Sequence, residues 1–191
     1  VWPTCQGRIK SEIKIYDITK MKKTTAELEI LDTDIELIPS ENLVGKTIKF
    51  DLTKILKGRG SEALFKLEKV NDVLVGKLYK FSLYSSYVSR IIDKGVSIVE
   101  DSFECKTKDS TVRVKPFMIT RKKVHRNVRK ALRNEFKSTV EKMFLDYTTE
   151  EIFRDIFAGT LQKTLSKKLK KLYPLAVCEI RVLELLKGNK G

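Results

Sequence analysis

The 191-residue sequence is poor in the features that mark a stapled, metal-bound or membrane-spanning fold. Its three cysteines, Cys5, Cys105 and Cys178, lie far apart and form no CxxC pair. They therefore read as reduced thiols used as small hydrophobes, not as a disulfide or zinc framework. The lone histidine, His125, has no ligand partner at metal-site spacing. Nine glycines and four prolines exclude collagenous and low-complexity classes. No apolar run reaches the roughly 18 residues of a membrane span. The first twenty residues carry Arg8, Lys10, Lys14 and Lys20 without an apolar stretch between them, so no secretory signal is read. The expectation is a soluble, intracellular chain of one domain, large enough to fold on its own core.

Acidic residues are also scarce, at 25 against 39 lysines and arginines, for a net charge of +14. The imbalance is local. Residues 1–50 are neutral and residues 51–105 carry +1, whereas residues 106–137 hold twelve basic and two acidic side chains. Residues 138–160 return to −3, and residues 161–191 carry +6. A positive field this strong costs self-repulsion unless a polyanion takes it up, so its confinement to two blocks points to a binding surface.

Hydrophobic spacing sets out the elements. Residues 1–31 contain two loose alternations, at 8–17 and 26–31, and read as short strands or an extension; residues 32–42, acidic and with Pro39, read as a loop. Ile48, Phe50 and Leu52 alternate with polar residues as a half-buried strand. Residues 63–70 and 73–83 follow as a hairpin joined by Asn71-Asp72. A short helix capped by Ser85 or Ser86 runs to Lys94, with Gly95 as its stop. Residues 96–106 and 111–120 form a second strand pair. From Arg121 a long helix repeats Val124, Val128, Leu132, Phe136, Val140 and Phe144 every four residues. Thr148 with Glu151 has the capping-box spacing for a second helix, Gly159 interrupts it, and Leu161, Leu165, Leu169 and Leu172 form the stripe of a third. Residues 175–186 close the chain as a strand. The expected class is α+β: a mainly antiparallel sheet or barrel-like core, a long basic helix, two further C-terminal helices and a final strand.

The strongest candidate for chemistry is the first basic block. On the expected long helix Arg121, Lys122, Arg126, Arg129, Lys130, Arg133 and Lys137 recur at spacings of three and four, half a turn from the apolar stripe, with Lys123 beside them. Such a rail tracks phosphates, which arginine grips bidentately. Basic helix faces often serve solubility alone, but those interleave acids, and Glu135 is the only acid on this stretch. The preceding hairpin adds Lys106, Lys108, Arg113 and Lys115, expected to continue the surface. Lys167, Lys168, Lys170 and Lys171 make a second rail opposite the leucine stripe, which core packing explains better than a membrane surface does. Gly45-Lys46-Thr47 lacks the earlier glycine of a P-loop and leads into a strand. His125 stands among cations with no nucleophile beside it, and Asp32, Asp34 and Glu36 lack the glycine and terminal glutamate of a calcium loop. No catalytic set, metal site or cofactor is expected. Tyr79, Phe81, Tyr84 and Tyr87 are the nearest aromatic cluster and read as core, so recognition is expected to be of backbone and shape.

From about residue 43 to 187 the chain resembles the archaeal and eukaryotic small-subunit ribosomal protein family S-one-e, also called S-three-a-e. The resemblance is carried by Leu43-Val-Gly-Lys-Thr-Ile-Lys-Phe-Asp-Leu52, by Phe103-Glu-Cys-Lys-Thr-Lys-Asp-Ser-Thr-Val-Arg-Val-Lys115, by the helix opening Thr120-Arg-Lys-Lys-Val-His125, and by Leu172-Tyr-Pro-Leu175 with its strand. Lys46 stands where the family has arginine, Lys49 where it has glutamate, and Lys54-Ile55 where it has Asp-Leu. Ile15-Tyr16-Asp17 only echoes the family's Trp-Tyr-Asp opening, and the family's longer tail is not seen. The resemblance implies a divergent, shortened, non-enzymatic component of the small ribosomal subunit, cytoplasmic, on the platform near the messenger exit. Its implied partners are small-subunit ribosomal RNA, neighbouring ribosomal proteins and messenger RNA near the exit, with no membrane. Residues 1–42 are expected to form an N-terminal extension and acidic loop, and residues 43–191 the RNA-binding core. The alternative is a non-ribosomal regulatory RNA-binding protein.

Overall fold

The computed structural model describes residues 24–28, 33–37, 44–56, 58–70 and 73–188. The alternation at 8–17 lies outside the described residues. Nine strands and four helices follow in order among those described: β1 (Thr24–Leu28), β2 (Thr33–Leu37), β3 (Thr47–Asp51), β4 (Ser61–Val70), β5 (Val73–Leu83), α1 (Ser85–Arg90), β6 (Ile98–Glu100), β7 (Phe103–Lys106), β8 (Ser110–Thr120), α2 (Arg126–Phe144), α3 (Thr149–Ala158), α4 (Thr160–Leu169) and β9 (Leu175–Gly188). β3, β4 and β5 form an antiparallel meander. The end of β5 pairs with β9, β9 lies along β8, and β6 and β7 both add to the far edge of β8, all antiparallel. β1 and β2 are a hairpin whose β1 joins the start of β5 in parallel. The class is α+β with a mainly antiparallel sheet, as expected. Among the described strands no pairing joins β3 to the β6/β7 edge, so the sheet stays open instead of closing as a barrel.

The helices cover one face of this sheet. The four-residue repeat of α2 does what its spacing predicts: Leu132, Phe136, Val140 and Phe144 are fully buried. Phe136 stands edge-on to Phe103 of β7 at 6.2 Å and 68°, which fixes α2 across β6 and β7. α3 opens on the predicted capping box, in which Thr148 Oγ1 accepts from Glu151 N and Glu151 Oε2 accepts from Thr148 N at 2.9 Å. Gly159, at φ 73°, ends α3 and starts α4, a left-handed turn that a residue with a Cβ would strain. Leu161, Leu165 and Leu169 then seat α4 over β9, and Phe157 of α3 meets Phe81 of β5 at 5.8 Å.

Four expectations need correction. The acidic stretch 32–42, read as a loop, contains β2: Ile35 and Leu37 alternate with Asp34 and Glu36, and pairing with β1 outweighs the weak strand preference of the acids. The short helix ends at Arg90 without a serine cap; Gly95 turns the following loop at φ 83° and is not its stop, while Ile91 and Ile92 pack on the core. The strand read over 96–106 is two, broken where Ser102 N bonds Asp101 Oδ1 at 2.9 Å. The long helix begins at Arg126, not at Arg121. Thr120 Oγ1 lies 3.0 Å from Ser97 O and 2.7 Å from Lys122 O, and Val124 N donates to Ser97 Oγ at 3.1 Å, so residues 121–124 are tied to the β6 approach instead of winding.

Cys105 and Cys178 are free and buried, as read; Cys5 lies outside the described residues. Burial pushes both thiols up to about 12, with Glu141 beside Cys105 and Glu179 beside Cys178 adding to the effect. A thiolate is the reactive form, so iodoacetamide at pH 8 should leave both unmodified in the folded chain and label both in denaturant. Site-resolved mass spectrometry checks this, and rapid native labelling of either would contradict it.

Candidate nucleic-acid interface

The start of α2 gathers the cations of the first basic block. Arg126, Arg129, Lys130, Arg133 and Asn134 of α2 line one groove of about 520 Å³, together with Asp101 from the β6–β7 bend. Arg126 and Lys130 are exposed; Arg129 and Arg133 are half-buried. Arg133 is held in place by its Nε, which donates to Glu100 O at 3.0 Å. Arg129 Nε is buried and has no hydrogen-bond partner. A buried guanidinium donor without an acceptor is a costly arrangement, and a phosphate oxygen would relieve it. Lys137, further along, is exposed and shares its charge with Glu141 at 3.9 Å. Arg121, Lys122 and Lys123 are exposed in the turn that leads into the helix.

This helix start also runs against helix electrostatics. The first turn holds no acid, and the N-cap, His125, makes no side-chain capping bond. The positive end of the macrodipole favours anions, yet Arg126 and Arg129 both sit there. α3, a few residues later, has the opposite and favoured arrangement, a capping box with Glu150 and Glu151 in its first turn. The start of α2 thus has no acid in its own first turn to match its dipole.

The hairpin does not extend this surface. Phe103, Cys105, Val112 and Val114 point towards the helix layer and are buried, so by alternation Lys106, Arg113 and Lys115 lie on the other face of the sheet. There Arg113 is part of a ladder across four strands, with Glu104, Arg113, Glu184 and Lys80 in register from β7 through β8 and β9 to β5. Arg113 Nη2 donates to Glu104 Oε1 at 2.8 Å, and Glu104 and Glu184 together hold the guanidinium pKa above its ordinary value. Lys108, in the turn, is exposed near the end of α2, its backbone N 3.4 Å from Tyr147 O.

The second basic block stays on the helix layer. Lys167 and Lys168 occupy the last turn of α4, where cations suit the dipole, and Lys170 and Lys171 follow in the turn; all four are exposed. Lys167 and Lys170 face a further cavity together with Arg59, Lys163, Gln162 and Glu179. The sequence reading singled out neither Arg59 nor Lys163, because nothing local joins a β3–β4 turn to α4. Of the aromatic cluster, Phe81 is buried, Tyr84 and Tyr87 are half-buried and Tyr79 is exposed, so the core reading holds fully for Phe81 only. Among the described residues no group of three or more His, Cys, Asp or Glu is placed to hold a metal, and no helix is long and apolar enough to cross a membrane.

Residues 10–189 match the sequence profile described as the ribosomal S3Ae family. The chain is 25% identical over 173 residues to a protein of Nanoarchaeum equitans named small ribosomal subunit protein eS1, covering 88% of this chain and 86% of that protein. To the protein of the same name from Halorubrum lacusprofundi it is 30% identical over 150 residues, 76% of this chain and 70% of the relative. A relative of that name from Saccharolobus islandicus is 28% identical over 144 residues, with coverage of 74% and 69%.

Proposed function

The chain belongs to the ribosomal S3Ae family, and from that premise we propose that it is a structural constituent of the small ribosomal subunit which binds ribosomal RNA through the outward face of α2. The observation that carries this reading is the groove at the helix start, with four cations along one side and a buried arginine donor that has no partner. Arg126, Arg129, Lys130 and Arg133 are the primary phosphate contacts, extended by Arg121, Lys122 and Lys123 before them and Lys137 after. Lys167, Lys168, Lys170 and Lys171 form a second contact on the same layer. Lys106 and Lys115, and Lys108 at the turn, serve a separate and weaker surface; Arg113 is already matched by carboxylates. Residues 43–191 act as the RNA-binding core and residues 1–42 as an extension. The work is charge neutralisation and fit to folded RNA, without bond-making, and it sets the protein in the cytoplasm on the ribosome, beside other ribosomal proteins of the platform and the exiting messenger.

Two measurements test this. On a sucrose gradient of cell extract the protein should travel with small subunits and survive a moderate salt wash; sedimentation with free RNA alone would favour a regulatory RNA-binding protein instead. With a ribosomal RNA fragment, releasing the counterions of about six single-strand phosphates gives a log–log salt slope of about −4. Affinity that stays flat between low and moderate salt would contradict phosphate binding.

A further inference from the structure

We infer that the cavity between α4, β9 and the β3–β4 turn is a separate binding site for one unpaired nucleotide, and that guanine is the base it fits. It rests on the RNA-binding reading and deepens it, because Lys167 and Lys170 of the second basic contact also line this cavity. The cavity measures about 420 Å³, within the range of roughly 300–1,000 Å³ typical of small-ligand sites.

Two buried acceptors, on Gln162 and Glu179, line it beside the Arg59 guanidinium. Gln162 is only 5% exposed. Its Nε2 donates to Ile156 O at 3.1 Å, which turns Oε1 the other way, and Oε1 is buried without a partner. Glu179 of β9 lines the same cavity with a carboxylate that is also largely buried. Its counter-ion, Arg59 Nη1, stands 3.6 Å away, beyond good hydrogen-bond range, so the carboxylate keeps acceptor capacity. Arg59 itself lies against Gly159, where an added Cβ would come within 3.4 Å of the guanidinium. Burial also raises the Glu179 pKa, against the pull of Arg59 and the Gln162 amide, and donors from a ligand would favour its charged form.

The rim has the opposite character. Lys163 and Lys167 of α4 and Lys170 just after it, spaced four and three apart, line it, and Tyr87 lines it too, with the Arg90 guanidinium 5.8 Å from its ring centroid. Donors are thus demanded inside and an anion outside, with one aromatic residue in the lining. An acidic peptide would satisfy the lysines but drive carboxylates towards Glu179. A nucleotide meets both demands, with its phosphate on the lysines and its base against the tyrosine and the acceptors. Guanine alone presents two adjacent donors, N1–H and the N2 amino group, which a carboxylate accepts in parallel while Gln162 Oε1 takes a further amino hydrogen.

The test titrates the full chain with GMP, AMP, CMP, UMP, inorganic phosphate and a glutamate-rich peptide, followed by calorimetry and by the NMR shift of the Gln162 side-chain amide. GMP should bind at least roughly tenfold tighter than the other probes, the gain expected of a buried charge-assisted hydrogen bond. Gln162→Leu and Glu179→Gln should each remove that preference while leaving phosphate affinity unchanged, and Tyr87→Leu, on the rim, should weaken all four nucleotides alike. GMP no tighter than phosphate, a preference for the peptide, or indifference to the variants would overturn the site; should a core-lining variant not fold, Tyr87→Leu and the base series decide. A fully paired RNA duplex offers no free base and so reads the phosphate contacts alone, those of α2 foremost. Duplex binding with a steep salt slope but no GMP preference removes only the cavity site, and the reverse removes only the α2 surface.

Discussion

Replacing Arg126 and Lys130 by glutamate should weaken binding of a ribosomal RNA fragment by about a hundredfold at physiological salt, with no loss of folding stability. Both side chains are exposed in the α2 groove, and neither makes a hydrogen bond or ion pair among the described residues. Removing two phosphate contacts forfeits the release of two counterions, so the salt slope should flatten by about 1.4, and the two new carboxylates repel the backbone further. Stability should move the other way. Arg126 opens a helix whose first turn has no acid and no side-chain cap, and a glutamate there is favoured by the dipole by about 0.3–1 kcal/mol. Arg133 is left in place because its bond to Glu100 O ties α2 to β6. A filter-binding series over salt, paired with a thermal melt, reads both quantities. An unchanged affinity would mean that the groove does not hold RNA. A lowered melting temperature would mean that these cations brace the fold.

That opposition between stability and binding explains which features the sequence discloses. The apolar stripe of α2 is legible because a buried helix face must repeat near 3.6 residues, and no other element competes for Leu132, Phe136, Val140 and Phe144. The cations on the other face are legible because they lack interleaved acids. Where α2 begins is not, since Ser97, more than twenty residues upstream, holds Thr120 and Val124 in the turn. The capping box of α3 and the break at Gly159 are readable because their partners lie within a few residues.

The faces of the sheet are a different matter. Alternation in β8 separates Arg113 and Lys115 from Val112 and Val114, but only the docking of Phe136 on Phe103 decides which side the helices cover. A basic hairpin next to a basic helix in sequence therefore ends up behind it in space. The carboxylates that match Arg113 come from β7 and β9, the latter some seventy residues away. The nucleotide cavity is harder still, because Arg59, Tyr87, Gln162 and Glu179 meet only through the β5–β9 pairing and the seat of α4.

Phe136→Ala supplies the complementary result, a large loss of stability with the RNA-binding groups intact. The ring is fully buried and edge-on to Phe103, which is itself only 7% exposed, at the point where α2 crosses β7. Deleting a buried phenyl group costs about 3–5 kcal/mol, since the neighbours collapse only partly into the space. For a chain of this length each kcal/mol lowers the midpoint by roughly 2–4 °C, so a fall of about 10 °C is expected. Below the transition the groove cations are unchanged, so saturating RNA should raise the melting temperature of Phe136→Ala by about as much as it raises that of the parent chain. The charge-reversed variant should show the converse, a normal melt that RNA no longer raises. A Phe136→Ala midpoint within about 2 °C of the parent would mean that α2 is not anchored through this contact, and with it would go the rigid presentation of the groove on which the RNA reading relies.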